Sequence, residues 1–483
     1  FGLTRRRLAG EFSPPLPQRR PRPMTLAEKI IARHVVRPDG GTGVAAVAPG
    51  DAVFVRTDWR FSYDYTTPLA VAMLRRHLGE PAQLRDPATI VCFRDHLTFI
   101  EQTMSEERRR AGLLDAALAL GAEQQAFCER HGIRLHGALP DRVGSEGICH
   151  SIMSETYVAP GQLVVGTDSH TPHSGALGAF AFGVGSTEIA NAWVTGDVRL
   201  TVPPTWVVRL RGRLRGGVAA KDLMLHLLAL PEIRSGRAIG CVIEYRGEAI
   251  AAMDSDERAT LTNMVAEIGG YTGIVAPDDE TRRFIRERRG VDVGIDDWLQ
   301  SDADAEIAFS IDVDCGAIEP MLAQPGDPGN GIAVSALPEP VRIDIAYGGS
   351  CTAGKREDWL RYHEVLAWGL AHGLRIAPGV ALYLQFGSRA VRDWCEAQGM
   401  LQAMRDAGAQ LVEPGCGACI NAGPGASKSA DQVTVSAINR NFPGRSGPGS
   451  VWLASPATVA ASALAGRIVS FEQLQASVAQ RQA

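Results

Sequence analysis

QLVVGTDSH (162–170) is the stretch on which the fold turns. A short apolar run, Leu163-Val164-Val165, has the β-branched content of a strand and then breaks at once into Gly166-Thr167-Asp168-Ser169-His170. The same grammar occurs three more times. TIVCF (89–93) leads into Arg94-Asp95-His96, VRIDIAY (341–347) into Gly348-Gly349-Ser350-Cys351, and AQLVEP (409–414) into Gly415-Cys416-Gly417-Ala418-Cys419. The stretches between such runs carry helical spacing, as in EERRRAGLLDAALALGAEQQAFCERHG (106–132). Strands alternating with helices predict an α/β fold of parallel sheets with helices on both faces. In such sheets ligands gather outside the carboxyl ends of the strands, and all four motifs fall there.

A chain of 483 residues suggests roughly three domains. The reading is an Arg/Pro-rich tail over 1–23, a first α/β domain over 24–205, a second over 206–335 and a third over 336–483. Pro203-Pro204 breaks the chain after the first, and the loop-like AQPGDPGNG (323–331) closes the second. Residues 1–23 hold six arginines, five prolines and one acid, Glu11, and are expected to be disordered. The fold is expected to start at Met24, with Thr25 as helix N-cap and Glu28 completing a capping box.

Bulk composition excludes several classes. The formal net charge of −5 and pI near 6.2 argue against a nucleic-acid partner. No apolar run approaches the roughly 18 residues of a membrane span. No apolar segment near the N-terminus suits a secretory signal, so a cytoplasmic location is expected. Nine cysteines, an odd number and mostly isolated, do not form a secreted disulfide framework.

Only Cys416 and Cys419 make a CxxC, which alone fits a redox dithiol, half a zinc site or two core residues. Cys351, in its Gly-Gly-Ser-Cys loop, is a third candidate ligand. Three thiolates on a four-iron cube would leave one iron open as a Lewis acid, whereas iron–sulfur electron carriers use four. His96, His150 and His170 lie at strand ends or in a Gly-Ile-Cys-His turn, with Asp95 and Asp168 beside them. A carboxylate next to an imidazole fixes its tautomer and raises its basicity, as an acid for a leaving hydroxyl requires. Arg440 and Arg445, in a turn-rich segment, suit bidentate capture of carboxylates.

GTDSHTPHSGALGAFAFGVGSTEIA (166–190), LTNMVAEIGG (261–270), GGSCTAGKREDW (348–359), INRNFPGRSG (438–447) and LASPATVAASALAG (453–466) together resemble the aconitase family. The resemblance covers nearly all of residues 24–475 and is closest to the separate large subunits of the 3-isopropylmalate dehydratase branch. It implies three α/β/α domains around one [4Fe-4S] cluster, held by Cys351, Cys416 and Cys419 with one iron open. It further implies that Asp95, His96, His150, Asp168, His170 and Glu267 act on the substrate hydroxyl and bound water. Asn263 and Asn439 would support the cluster, Arg440 and Arg445 would hold substrate carboxylates, and Tyr63 and Ser169 would line the pocket. The substrate implied is a small hydroxy-di- or tricarboxylic acid, dehydrated and rehydrated at the neighbouring carbon. The family's mobile fourth domain has no match here, so a small partner subunit carrying it is expected.

Two positions depart from the family pattern. Ala353 stands where Asn is usual after Ser-Cys-Thr, and Tyr63 where Gln or His usually precedes Asp-x-Thr. They leave open a paralogue acting on another 2- or 3-substituted malate or on homoaconitate. Two rivals from other classes are a zinc protein using the same cysteines and an RNA-binding protein switched by cluster loss.

Overall fold

The computed structural model describes residues 1–79 and 82–482. Three sheets carry the architecture. The first is five-stranded and wholly parallel, in the spatial order Arg134–His136, Ile90–Phe93, Trp59–Tyr63, Leu163–Gly166, Phe180–Gly183. The second is four-stranded and parallel, in the order Thr272–Val275, Val242–Arg246, Thr205–Arg211, Phe309–Asp314. The third has seven strands. Ser450–Ala454, Val433–Ser436, Ile345–Gly348, Ala381–Gln385 and Gln410–Val412 form its parallel part, and the antiparallel Met321–Ala323 and Gly331–Ala333 extend one edge.

In the first sheet the chain starts in the middle, at Trp59–Tyr63, runs outward to one side, and returns to place Leu163–Gly166 on the other. The third sheet's parallel part repeats this around Ile345–Gly348 and Val433–Ser436. Where the winding reverses, the loops leaving two adjacent strands part in opposite directions and open a crevice. The first sheet therefore has a crevice between Tyr63 and Gly166, and the third has one between Gly348 and Ser436.

Burial follows from the strand sequences. The strands Ile90–Phe93, Leu163–Gly166 and Ile345–Gly348 are buried at every position, as parallel strands covered on both faces must be. Trp193 and Trp359 are each 0% exposed, one in the core of the first sheet and one in that of the third. The second sheet's core reaches into the third through Tyr347, Ala418, Cys419 and Ile438.

Four expectations need correction. Residues 1–23 are not a free tail: Gly2–Leu8 is helical, and Arg7 pairs with Asp197 through two bonds of 2.5 and 2.7 Å. Arg19 pairs likewise with Asp51, so the arginines find carboxylates on the first domain that composition could not reveal. Met321–Ala323 and Gly331–Ala333, assigned to the segment ending near 335, belong to the third sheet because Leu322 and Ala323 pair with Ala454 and Leu453. The helix expected over 106–132 is two helices, Glu106–Arg110 and Leu113–His131, broken at Gly112. The strand expected over 341–347 begins only at Ile345. At Leu26–His34 the Thr25 cap and its Glu28 capping box are present.

Candidate active site and metal centre

Strand ends deliver the polar residues to the two crevices. Asp95 and His96 follow Ile90–Phe93, Asp168, Ser169 and His170 follow Leu163–Gly166, and Tyr63 ends Trp59–Tyr63. Cys351 follows Ile345–Gly348, Asn439 and Arg440 follow Val433–Ser436, and Cys416 follows Gln410–Val412. His150 comes from the short helix Cys149–Ile152, which runs on into a turn of π-helix, Met153–Tyr157, a distortion frequent at functional sites. The second sheet's layer contributes Asn263, at the end of the helix Ser255–Asn263, and Glu267, in Val265–Ile268.

Asp168 is the hub on the side of the first sheet. Its Oδ1 lies 2.9 Å from His150 Nε2 and accepts the His170 backbone N–H at 2.8 Å, while Oδ2 lies 3.4 Å from His96 Nε2. Burial works to raise this carboxyl, but His150, His170 and His96 together hold it well below the usual carboxylate range. His96 Nδ1 meets Asp95 Oδ1 at 2.8 Å, and the other Asp95 oxygen accepts the Cys149 N–H at 2.8 Å. His170 Nε2 lies 3.0 Å from Glu267 Oε1. Burial pulls His170 down, but Glu267 and Asp168 outweigh it, and its imidazolium is pushed up to about 9.

Glu267 Oε1 also accepts Arg440 Nε at 2.6 Å, and Arg440 Nη2 donates to Ser169 Oγ at 3.0 Å. Glu267 Oε2 and Arg445 Nε are buried with no partner. Tyr63 stacks on His96, with ring centroids 3.8 Å apart, and its hydroxyl donates to Tyr65 at 3.0 Å.

The thiols sit against these groups. Asn263 Nδ2 donates to Cys351 Sγ at 3.2 Å, and Asn439 Nδ2, which also donates to Asn263 Oδ1 at 2.6 Å, approaches the same sulfur at 3.6 Å. Arg445 Nη2 lies 4.0 Å from Cys419 Sγ, and Cys416 Sγ lies 3.6 Å from His96 Nδ1. Burial, with Cys419 adding to it, pushes the Cys351 thiol up to about 12. Thiols so placed ionise only against positive charge. Among the described residues, two groups of ligand atoms converge within 4.8 Å of one another: Cys351 with His150 and His170, and Cys416 with Asp95 and His96. The three sulfurs do not themselves form such a group.

Backbone shape keeps these loops close. Gly349 has φ +135° and Gly417 φ +54°, and a Cβ on either would come within 2.7 Å of Gln385. Residues 28–466 match the aconitase family (aconitate hydratase). This chain belongs to the aconitase family. The 3-isopropylmalate dehydratase large subunit 1 of Pyrococcus furiosus is 36% identical over 457 residues, covering 93% of this chain and 99% of that one. The chloroplastic large subunit of 3-isopropylmalate dehydratase from Arabidopsis thaliana is 34% identical over 464 residues, covering 92% of this chain and 86% of that one. Among solved structures, the holo-form of Thermococcus kodakaraensis aconitase X covers 80% of this chain and 84% of its own, with a TM-score of 0.46 at 11% identity.

This aconitase-family site also uses residues that sequence reading passed over. His173, 1% exposed, stacks on His150 and takes the Asn263 amide at 3.0 Å on Nδ1. Burial, then the cations around it, keeps His173 neutral. Its spacing three residues after His170 was the available signal. Gln385 and Tyr347 hydrogen-bond to each other beside the thiols, and their sequence surroundings carry no mark of it.

Proposed function

We propose that this chain is the cluster-bearing large subunit of a [4Fe-4S] hydro-lyase of the 3-isopropylmalate dehydratase type, which dehydrates and rehydrates a small hydroxy-di- or tricarboxylic acid. The observation that carries the reading is the meeting of the two crevices: three cysteines on one side, Cys351 and Cys419 buried and Cys416 half-buried, face a carboxylate-bridged set of histidines on the other.

The residues fit the cluster. N–H donors aimed at sulfur favour thiolate over thiol, and Cys351 receives two of them. Thiolates bound to a single zinc would lie only about 3.8 Å apart, since a Zn–S bond is about 2.3 Å; Cys351, Cys416 and Cys419 do not converge within 4.8 Å of one another as such a set would. When bound through Cys351, Cys416 and Cys419, such a cluster supplies a Lewis acid at its one iron without a thiolate.

The remaining work falls to the chain's own side chains. His96, His150 and His170 share the Asp168 carboxylate and hold protons at Nε2 or Nδ1, ready to be given to a departing hydroxyl and taken back from water. Asp95 fixes the His96 ring by holding Nδ1. Glu267 and Ser169 orient Arg440, and Arg445, with a buried Nε unpaired, keeps hydrogen-bonding capacity for a substrate carboxylate. Asn263 and Asn439 hold Cys351.

The relatives' names as large subunits support a partner small subunit, which in this reading carries the swivel domain, closes the pocket and brings the base for the α-proton. The cluster-loaded chain alone is expected to dehydrate 3-isopropylmalate negligibly, and addition of the cognate small subunit to restore turnover. Full turnover by the single chain would contradict the assignment of the base. A second reading, a paralogue acting on another substituted malate or homoaconitate, is favoured by Tyr63, whose ring covers His96 instead of offering an amide to substrate.

A further inference from the structure

Lys221 is 2% exposed and lies in the first turn of the helix Ala220–Ala229. Asp222 fixes that helix start, accepting the backbone N–H groups of Ala219 at 2.9 Å and Met321 at 2.8 Å. Lys221 Nζ donates to the carbonyls of Ile438 at 2.7 Å and Ala437 at 3.2 Å, and lies 3.3 Å from Met264 Sδ. None of these partners is an anion. Lys355, also buried, contrasts with it by pairing with Asp358 at 2.8 Å.

A buried ammonium without a counter-charge is strongly unfavourable, so the location of its compensating charge is a structural question. Burial draws Lys221 down to about 8, while Glu267, Cys351 and Cys419 draw it up and Lys355 opposes them. Glu267 is already shared between His170 and Arg440. The negative charge left for Lys221 is that of the thiolates. The two carbonyls it grips belong to the segment leading into Asn439, and the Ala437 carbonyl also accepts Thr352 Oγ1 at 3.1 Å, from the residue after Cys351. Lys221 is thus linked to the Cys351 loop through one backbone segment, and the charges of Cys351 and of Cys419, from a second loop, act on it through space.

We propose that Lys221 is the buried counter-charge of the metal centre: an ammonium behind Cys351 and Cys419 that offsets thiolate charge and, through the 437–438 carbonyls, keeps Asn439 on Cys351. It is a positioning residue, and the inference rests on the cluster reading above. A positive charge at that place favours the more negative, reduced state of the cluster.

The test uses the full chain loaded anaerobically and the variants K221Q, which keeps a neutral donor for the carbonyls, and K221M, which keeps only the stem. The readouts are the midpoint potential of the bound cluster and the melting temperature of the apoprotein. Loaded K221Q is expected to show a lowered potential, by about 59 mV for a tenfold loss of preference for the one-electron reduced state. Its apoprotein should melt no lower than the wild type, because the charge it loses is uncompensated once the thiolates are protonated. If the variants fail to load, an apoprotein as stable as wild type supports the charge role. An apoprotein that melts lower in K221Q as well as K221M would make Lys221 a structural prop and overturn the proposal, as would an unchanged potential in loaded K221Q. Wild-type protein that takes up no iron or sulfide would instead defeat the cluster reading.

Discussion

Asp168 faces three imidazoles at once, with the His150 ring at 2.9 Å, the His96 ring at 3.4 Å and the His170 ring at 3.5 Å. One carboxylate therefore orients three of the site's histidines, His150, His96 and His170. Asp168→Asn keeps the shape and removes the charge. The variant is expected to lose turnover by about 10²–10⁴-fold, the range for a positioned proton donor, with KM little changed. Steady-state kinetics of the complex with the small subunit would measure it, and a variant within threefold of wild type would remove Asp168 from the proton chemistry. Tyr63 illustrates how local context redirects a residue. Sequence placed it at the substrate; in the fold its ring lies flat on His96 and its hydroxyl is spent on Tyr65.

At the scale of elements, the turn from the Ile345–Gly348 strand into Cys351 depends on Gly349. At φ +135°, with a Cβ that would fall 2.7 Å from the Gln385 carbonyl, Gly349→Ala pushes the Cys351 loop away from its place. The backbone strain alone costs about 1–3 kcal/mol. Gly349→Ala is expected to bind less iron and melt earlier, while Gly294→Ala, in open space, leaves both unchanged; thermal melts with iron analysis would check the pair. Strand ends such as Val164–His170 were legible because a fully buried parallel strand must be apolar and must stop where the polar motif starts. The winding order was not, since pairing Tyr63 with Gly166 across one crevice and Gly348 with Ser436 across the other is decided by contacts remote in sequence. Helix Leu113–His131 starts where Gly112 takes φ 77°, which a helical spacing rule does not detect. The Arg-rich first residues failed as a tail because Asp197 and Asp51 wait for them on the folded surface. Lys221 carries no sequence signal that separates a buried role from a solvated one.

At the scale of the whole molecule, the site exists only where all three layers meet. The first supplies the acids and histidines, the second Asn263 and Glu267, the third the cysteines and arginines. Glu155 marks this seam. It accepts Ser388 Oγ from the third layer at 2.7 Å, while Arg289 of the second donates to the neighbouring Ser154 and Val158 carbonyls at 2.6 Å. Burial pushes the Glu155 carboxyl up from 4.5 to about 7. Between those values the folded protein keeps a proton that the unfolded chain has lost. This group's contribution is full below pH 4.5 and is lost as pH rises through about 7. Glu155→Gln should therefore gain on wild type in melting temperature from pH 5 to pH 8, and a constant difference across that range would contradict it. Iron, sulfide and zinc analysis of protein purified without oxygen tests most directly whether Cys351, Cys416 and Cys419 hold an iron–sulfur cluster. A brown protein with iron and sulfide in near-equal amounts, approaching about four each per chain, is expected; stoichiometric zinc without sulfide would contradict the assignment.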